Sequence, residues 1–173
     1  MWFRNGQAYD EISRSEFSQL HTQACNGELN EWTHYPKSLL ALIILLDQFS
    51  RHIYRGQKKA FAQDQDSLFY VSKGVTSSLD RDLFFIERKF FYMPLMHAED
   101  GAAQELSVKM YTRLCDEAPP ELKQMFASTL SFAKSHHHVI AKFGRFPELN
   151  EILQRSSTEQ ELAFLKTGKY RFL

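Results

Sequence analysis

Pro36-Lys-Ser-Leu-Leu-Ala-Leu-Ile-Ile-Leu-Leu-Asp-Gln-Phe-Ser-Arg-His-Ile-Tyr-Arg-Gly56 is apolar on every side in its first half and studded with charge in its second. Proline suits the first helical position and glycine the residue just past a helix end, so the segment is expected to form one helix of about 30 Å. Leu39 to Leu46 offer no polar face, the pattern of a helix enclosed by other elements. Asp47, Arg51 and Arg55 then follow at i, i+4 and i+8, with Gln48 and His52 on the adjacent row. A buried helix thus delivers five polar side chains along one strip. Polar groups leaving a core must be paired or face a cavity. That favours an internal network or cavity over a solvated acid-base ladder with arginines at the helix C-terminus.

Around this helix the rest of the chain reads as further helices. Tyr9, Ile12, Phe17, Leu20 and Ala24 make a stripe over about Asp10–Cys25, and Leu29 and Trp32 can anchor the loop that follows. Gln57–Lys73 carries Ala60, Phe61, Asp64, Leu68 and Val71 and is expected to end at Gly74, before a turn at Thr76–Asp80. Leu79, Leu83, Phe84, Ile86, Phe90 and Phe91 mark a fourth apolar segment, whose Phe-Phe-Tyr end is open between helix and strand, and Pro94 breaks it. Helices over Glu99–Cys115 and Glu121–Phe143 are separated by Pro119-Pro120, and Gly144 ends the second. A short helix at Glu148–Leu153 and a last one through Leu165, capped by Ser157-Thr158-Glu159-Gln160, complete the chain. No hairpin signal occurs. The expectation is one all-α domain over 1–173, helices in antiparallel pairs around one buried central helix.

Lysine plus arginine and aspartate plus glutamate number 21 each, a balance that argues against a nucleic-acid or anionic-membrane surface. The apolar run Leu39–Leu46 is far short of the roughly 18 residues needed to cross a bilayer. The first residues show no basic-then-apolar leader, so the cytoplasm is the expected location. Cys25 and Cys115 lie in helical patterns, and no disulfide is expected. With 15 Phe and 7 Tyr in the chain, an aromatic core is favoured over an aromatic-lined pocket.

Two more constellations carry chemistry. After Pro94, His97 stands at the mouth of a helix, Glu99 and Asp100 near its start, and Gln104 and Ser107 one turn apart on its inner side. The carboxylates there can be ordinary helix capping, or His97 with Glu99 or Asp100 can handle protons near neutral pH. The third is His136-His137-His138 with Arg145, Asn150 and Arg155. Consecutive helical residues fan out by about 100°, so the three histidines cannot converge on one metal. Zinc-type spacings and phosphate loops are absent, as is a Gly-x-Ser-x-Gly elbow, and neither metal nor cofactor is expected.

At these residues the chain resembles the bacterial family catalogued as domain of unknown function 924, described as tetratricopeptide-like and α-helical. The resemblance rests on Leu40–Gly56, Ala60–Asp64, Met93–Asp100, Phe143–Pro147, and on Asn150, Leu153, Arg155, Ser157-Thr158 and Leu162–Leu165, with Trp2-Phe3 at the start. It implies the fold and no assigned reaction. It also implies that Asp47, Gln48, Arg51, Arg55, Asp64, His97, Glu99, Asp100, Gln104, Ser107, His136, Arg145, Asn150 and Arg155 are the family's polar motif positions. The chain departs from the family pattern at Ser50 and His52, where proline and asparagine are usual. It departs again at Glu148-Leu149, usually His-Arg, and at Ser156, usually an acid. No 34-residue tetratricopeptide signature is present in the sequence.

Two functions follow as expectations. In one, a pocket between helices binds a small anionic metabolite through Arg51, Arg55, Arg145 and Arg155, with Asp47, Gln48, Asp64, Gln104, Ser107, His136 and Asn150 as further lining. If that pocket is catalytic, His97 is the acid or base and Glu99 or Asp100 its orienting partner. In the other, the chain is a peptide-binding or assembly module, and the polar strips are internal networks that fix helix register.

Overall fold

A computed structural model of the chain describes residues 7–168. Among these residues there are helices, turns and no strand, as the absence of hairpin signals implied. No described helix is long and apolar enough to cross a membrane. The chain divides into two compact units, Met1–Pro94 and Leu95–Leu173. The Trp2-Phe3 start lies outside the described residues.

In the first unit the central helix runs as α2 (Pro36–Ile44), one π-helical turn (Leu45–Phe49) and α3 (Ser50–Ile53). The expected single α-helix is therefore interrupted by a wider turn at the residues where the apolar run gives way to charge. Leu39, Leu42, Ile43 and Leu46 are buried almost completely, each worth on the order of 2 kcal/mol relative to exposure. Helix α1 (Gln7–Cys25) packs on the π turn and α3. Leu29 and Trp32 anchor their loop against the same core, as expected.

Helix α4 (Asp64–Thr76) and helix α5 (Phe85–Phe91) pack on α2. Gly74 does not end α4; it lies inside it. A Cβ there would meet Phe91 Cζ at 2.5 Å and Leu39 Cδ2 at 2.9 Å, so the glycine is required by close approach. The ambiguous Phe-Phe-Tyr end is helical up to Phe91, and Pro94 sits within the short α6 (Met93–His97) instead of between elements.

In the second unit α7 (Gly101–Glu117) and α8 (Pro120–Phe143) form a hairpin. Lys123 Nζ donates to the carbonyls of Cys115 (2.8 Å) and Asp116 (2.7 Å), closing the C-terminal turn of α7. The buried faces are Ala103, Gln104, Ser107, Met110, Tyr111 and Leu114 on α7, and Phe126, Thr129, Ala133, His136, Val139 and Ile140 on α8. Gly144 ends α8 in the left-handed region at φ 68°. The expected helix at Glu148–Leu153 is only a 3-10 turn, Pro147–Leu149.

Helix α9 (Glu159–Lys166) is capped by Thr158 with Glu161, one residue beyond the expected Ser157/Gln160 pair. Not every apolar stripe residue faces a core. Ile12 is 53% and Phe84 71% exposed.

Candidate functional site

The polar strip of the central helix is an internal network. Asp47 is 1% exposed, and Gln48 and His52 are also buried. Arg51 donates through both terminal nitrogens to Asp64 (2.9 and 3.1 Å) and lies 3.0 Å from Asp47 Oδ1. The Phe61 ring lies 5.4 Å from its guanidinium carbon. Gln48 Nε2 donates to Asp47 Oδ2 at 2.5 Å. Burial pulls the Arg51 pKa down, but the charges of Asp47 and Asp64 outweigh it and the net shift is upward.

A turn further on, Arg55 grips Asp10 of α1 with Nε at 2.6 Å and a terminal nitrogen at 2.8 Å, while His52 Nδ1 lies 2.9 Å from the same carboxylate. The Arg55 bond holds the Asp10 carboxyl below its ordinary range against the opposing effect of burial. Sequence reasoning passed over Asp10 as a partner, because it stands 45 positions from Arg55.

One cluster in this unit has the composition of a nucleophile site. His21 Nε2 lies 2.7 Å from Ser50 Oγ, and Cys25 Sγ lies 3.5 Å from His21 Nδ1. The Ser50 hydroxyl, however, donates its single proton to the Leu46 carbonyl at 2.6 Å, so His21 Nε2 is the donor to Oγ and cannot take a proton from it. Burial raises the Cys25 pKa and lowers that of His21, which keeps both groups neutral. The cluster ties α1 to α3; it does not activate a nucleophile.

In the second unit Glu161 is the hub. Its carboxylate accepts from Arg145 Nε (2.6 Å) and a terminal nitrogen (2.8 Å), from the Thr158 backbone N–H (2.7 Å) and from Asn150 Nδ2 (3.4 Å). The Arg145 bond, aided by Thr158, lowers its pKa to about 2 although burial opposes. Arg155 makes the parallel arrangement with Glu99 (2.6 and 2.9 Å), and Arg155 Nε donates to Asn150 Oδ1. Glu99 also accepts from the Phe146 N–H at 2.7 Å. Asp100 is the N-cap of α7, accepting from Ala103 N at 2.7 Å. Ser156 contributes its backbone carbonyl to Arg145.

Of the three histidines, only His136 is buried, as the fan of successive helical residues requires. Its Nδ1 lies 2.8 Å from the Phe132 carbonyl, which can only accept, so Nδ1 carries the proton and Nε2 the lone pair. Burial drives its pKa to about 3; the bond to Phe132 pulls upward and the charge of His97 downward, and neither reverses the effect of burial. The His97 ring centroid is 6.4 Å and the Phe146 centroid 5.5 Å from that of His136.

Gln104 and Ser107 are fully buried on α7. Gln104 Nε2 donates to the carbonyls of Met96 (2.7 Å) and Ala98 (2.8 Å), which flank His97. Gln104 Oε1 and Ser107 Oγ have no partner among the described residues. Among those residues no group of three or more His, Cys, Asp or Glu side chains is placed to hold a metal ion.

The expected residues thus gather within each unit. Asp47, Gln48, Arg51 and Asp64 form one set beside Arg55 with Asp10. Glu99, Arg145, Asn150 and Arg155 join Glu161, and His97, Gln104 and His136 lie around the start of α7. Sequence reasoning missed Glu161, which its place three residues after Thr158 could have revealed.

Fold and site together define an all-helical protein whose motif arginines are tied to carboxylates inside each unit. The chain belongs to the family described as bacterial protein of unknown function, DUF924, whose sequence profile matches residues 1–169. It is also similar to the solved structure of a protein of unknown function from Agrobacterium tumefaciens, at 34% identity and a TM-score of 0.81, over 96% of this chain and 89% of that one. No curated protein matches the sequence.

Proposed function

We propose that the protein is a non-catalytic helical recognition module, of tetratricopeptide-like helix pairing, that binds a peptide or protein partner. The observation that supports this reading is that Arg51, Arg55, Arg145 and Arg155 each hold a carboxylate through two nitrogens. A guanidinium engaged in this way has its charge offset and its planar fork occupied, so it offers little to an incoming anion. The bonded pairs are 13, 45, 16 and 56 positions apart in sequence, the separation expected of struts between elements.

The catalytic alternative needs His97 with Glu99 or Asp100, and those carboxylates are engaged by Arg155 and by the α7 cap. A face for a partner is available in the first unit. Tyr35 and Phe84 are 70% and 71% exposed, and Lys37 Nζ stands 5.2 Å over the Phe84 ring. Exposed aromatics of this kind are apt anchors at interfaces.

Two measurements test the proposal. Thermal-shift titration with carboxylate and phosphate metabolites is expected to give no stabilisation, and stabilisation lost in Arg51→Ala or Arg145→Ala overturns it. Peptide-array binding is expected for the native chain and is expected to fall in Tyr35→Ser/Phe84→Ser.

A further inference from the structure

The second unit holds a set of buried polar atoms that neither ion pairs nor helix caps account for. Gln104 faces two carbonyl oxygens, those of Met96 and Ala98. Carbonyls only accept, so the amide nitrogen must be the atom turned toward them, and Oε1 must point the opposite way. That oxygen is buried and has no donor among the described residues. One helical turn on, the Ser107 hydroxyl lies on the same face of α7, equally buried and also without a partner. Native proteins rarely leave such atoms unmatched.

The surroundings set the polarity. His136, whose ring centroid lies 6.4 Å from that of His97, presents an imidazole whose Nε2 carries a lone pair, since Nδ1 is bonded to the Phe132 carbonyl. The region is therefore rich in acceptors, which repels an anion. It is also poor in negative charge, because Glu99 is held by Arg155. The burial that keeps His136 uncharged penalises an ammonium in the same way.

We propose that Gln104 Oε1 and Ser107 Oγ form a binding site in the second unit for a small neutral molecule that offers hydrogen-bond donors, of the primary-amide class. In the bound state an N–H of the ligand donates to Gln104 Oε1, and the Ser107 hydroxyl donates to its carbonyl. The site is independent of the peptide-binding face of the first unit and requires no chemistry.

The test is an NMR titration of the isotopically labelled full chain with acetamide, acetate and methylammonium, probes of similar size and of zero, negative and positive charge. Acetamide is expected to saturate and to move the Gln104 side-chain amide and the His136 ring nitrogens, while neither ion saturates. Gln104→Leu is expected to abolish saturation. Should that variant not fold, Ser107→Ala is expected to weaken acetamide by roughly three- to tenfold. Tighter saturation by either ion overturns the proposal, and so does acetamide binding that both variants leave unchanged. Absence of saturation up to the highest acetamide concentration at which the protein stays folded overturns it as well.

Discussion

Arg51 in the first unit and Arg145 in the second are both bonded through two nitrogens to one carboxylate, yet they sit in different electrostatic company. Arg51 answers two acids at once, Asp64 and the buried Asp47, all brought together by the turn where the central helix widens. Arg145 answers one, Glu161, whose remaining capacity goes to a helix cap and an amide. In the first unit charge is carried into the core and neutralised there. In the second the buried charge is Glu161, in the first turn of α9, and the buried faces of α7 and α8 carry neutral polar groups instead. The contrast separates two kinds of buried polarity: ionic groups that lock elements together, and uncharged groups on packed helix faces.

The contrast is broken most directly at Arg51. Arg51→Ala leaves Asp47 in a nearly water-free setting with one cation fewer, and the expected cost is about 3–5 kcal/mol by urea unfolding. Arg155→Ala, whose partner Glu99 has a quarter of its side chain in solvent, is expected to cost clearly less. Equal losses for the two substitutions would erase the distinction between the units.

Acid sharpens it. The folded-state pKa of His136 is about 3 against an ordinary 6.5, so below pH 6.5 the unfolded chain takes up a proton that the folded chain refuses. Stability is then lost as pH falls from 6.5 toward 3, at up to about 1.4 kcal/mol per pH unit and approaching ~3 kcal/mol by pH 4.5. Glu161 acts in a separate window. Its depressed carboxyl contributes fully above pH 4.5 and loses that contribution as pH falls toward 2. His136→Leu is expected to flatten the stability profile between pH 6.5 and 4.5 and to leave the acid limb below it. A profile unchanged by the substitution would mean that His136 is charged in the folded protein.

Gly74 probes the apolar half of the central helix in the first unit. Gly74→Ala places a methyl against Phe91 and Leu39, and overpacking of this kind costs about 1–3 kcal/mol where an exposed helical glycine would gain from the same change. A stabilised variant in thermal unfolding would show that α4 can move off α2 freely.

The buried central helix was legible because Leu39–Leu46 has no polar side, so no orientation of that helix can turn a solvated face outward. Its π turn was not: widening one turn shifts backbone hydrogen bonds by a residue and leaves the spacing of Asp47 and Arg51 intact. At Ser50 the hydroxyl bonds the Leu46 carbonyl, a contact that no periodicity announces. The site was legible as a set of residue types and not as a set of partners. Asp10 with Arg55 and Glu99 with Arg155 meet only through the fold. Ile12 was misread because a helical stripe says which face is apolar and not whether another element reaches its edge.

The cap of α9 is where misreading and mechanism meet, and it carries the smallest expected effect. Ser157 with Gln160 and Thr158 with Glu161 both have the spacing of a capping box, and local propensity does not choose between them. The choice falls to Glu161 because its carboxylate is also the one that Arg145 can reach, so a tertiary ion pair selects the register of a local cap. Thr158→Ala removes only the hydroxyl that accepts from Glu161 N at 3.2 Å. The expected cost is about 1 kcal/mol, with the downfield signature of the Arg145 Nε–H retained in the NMR spectrum. If that signature vanishes together with the cap, the order of dependence is reversed: the local turn holds the carboxylate for the arginine, and the networks of the second unit rest on helix ends instead of fixing them.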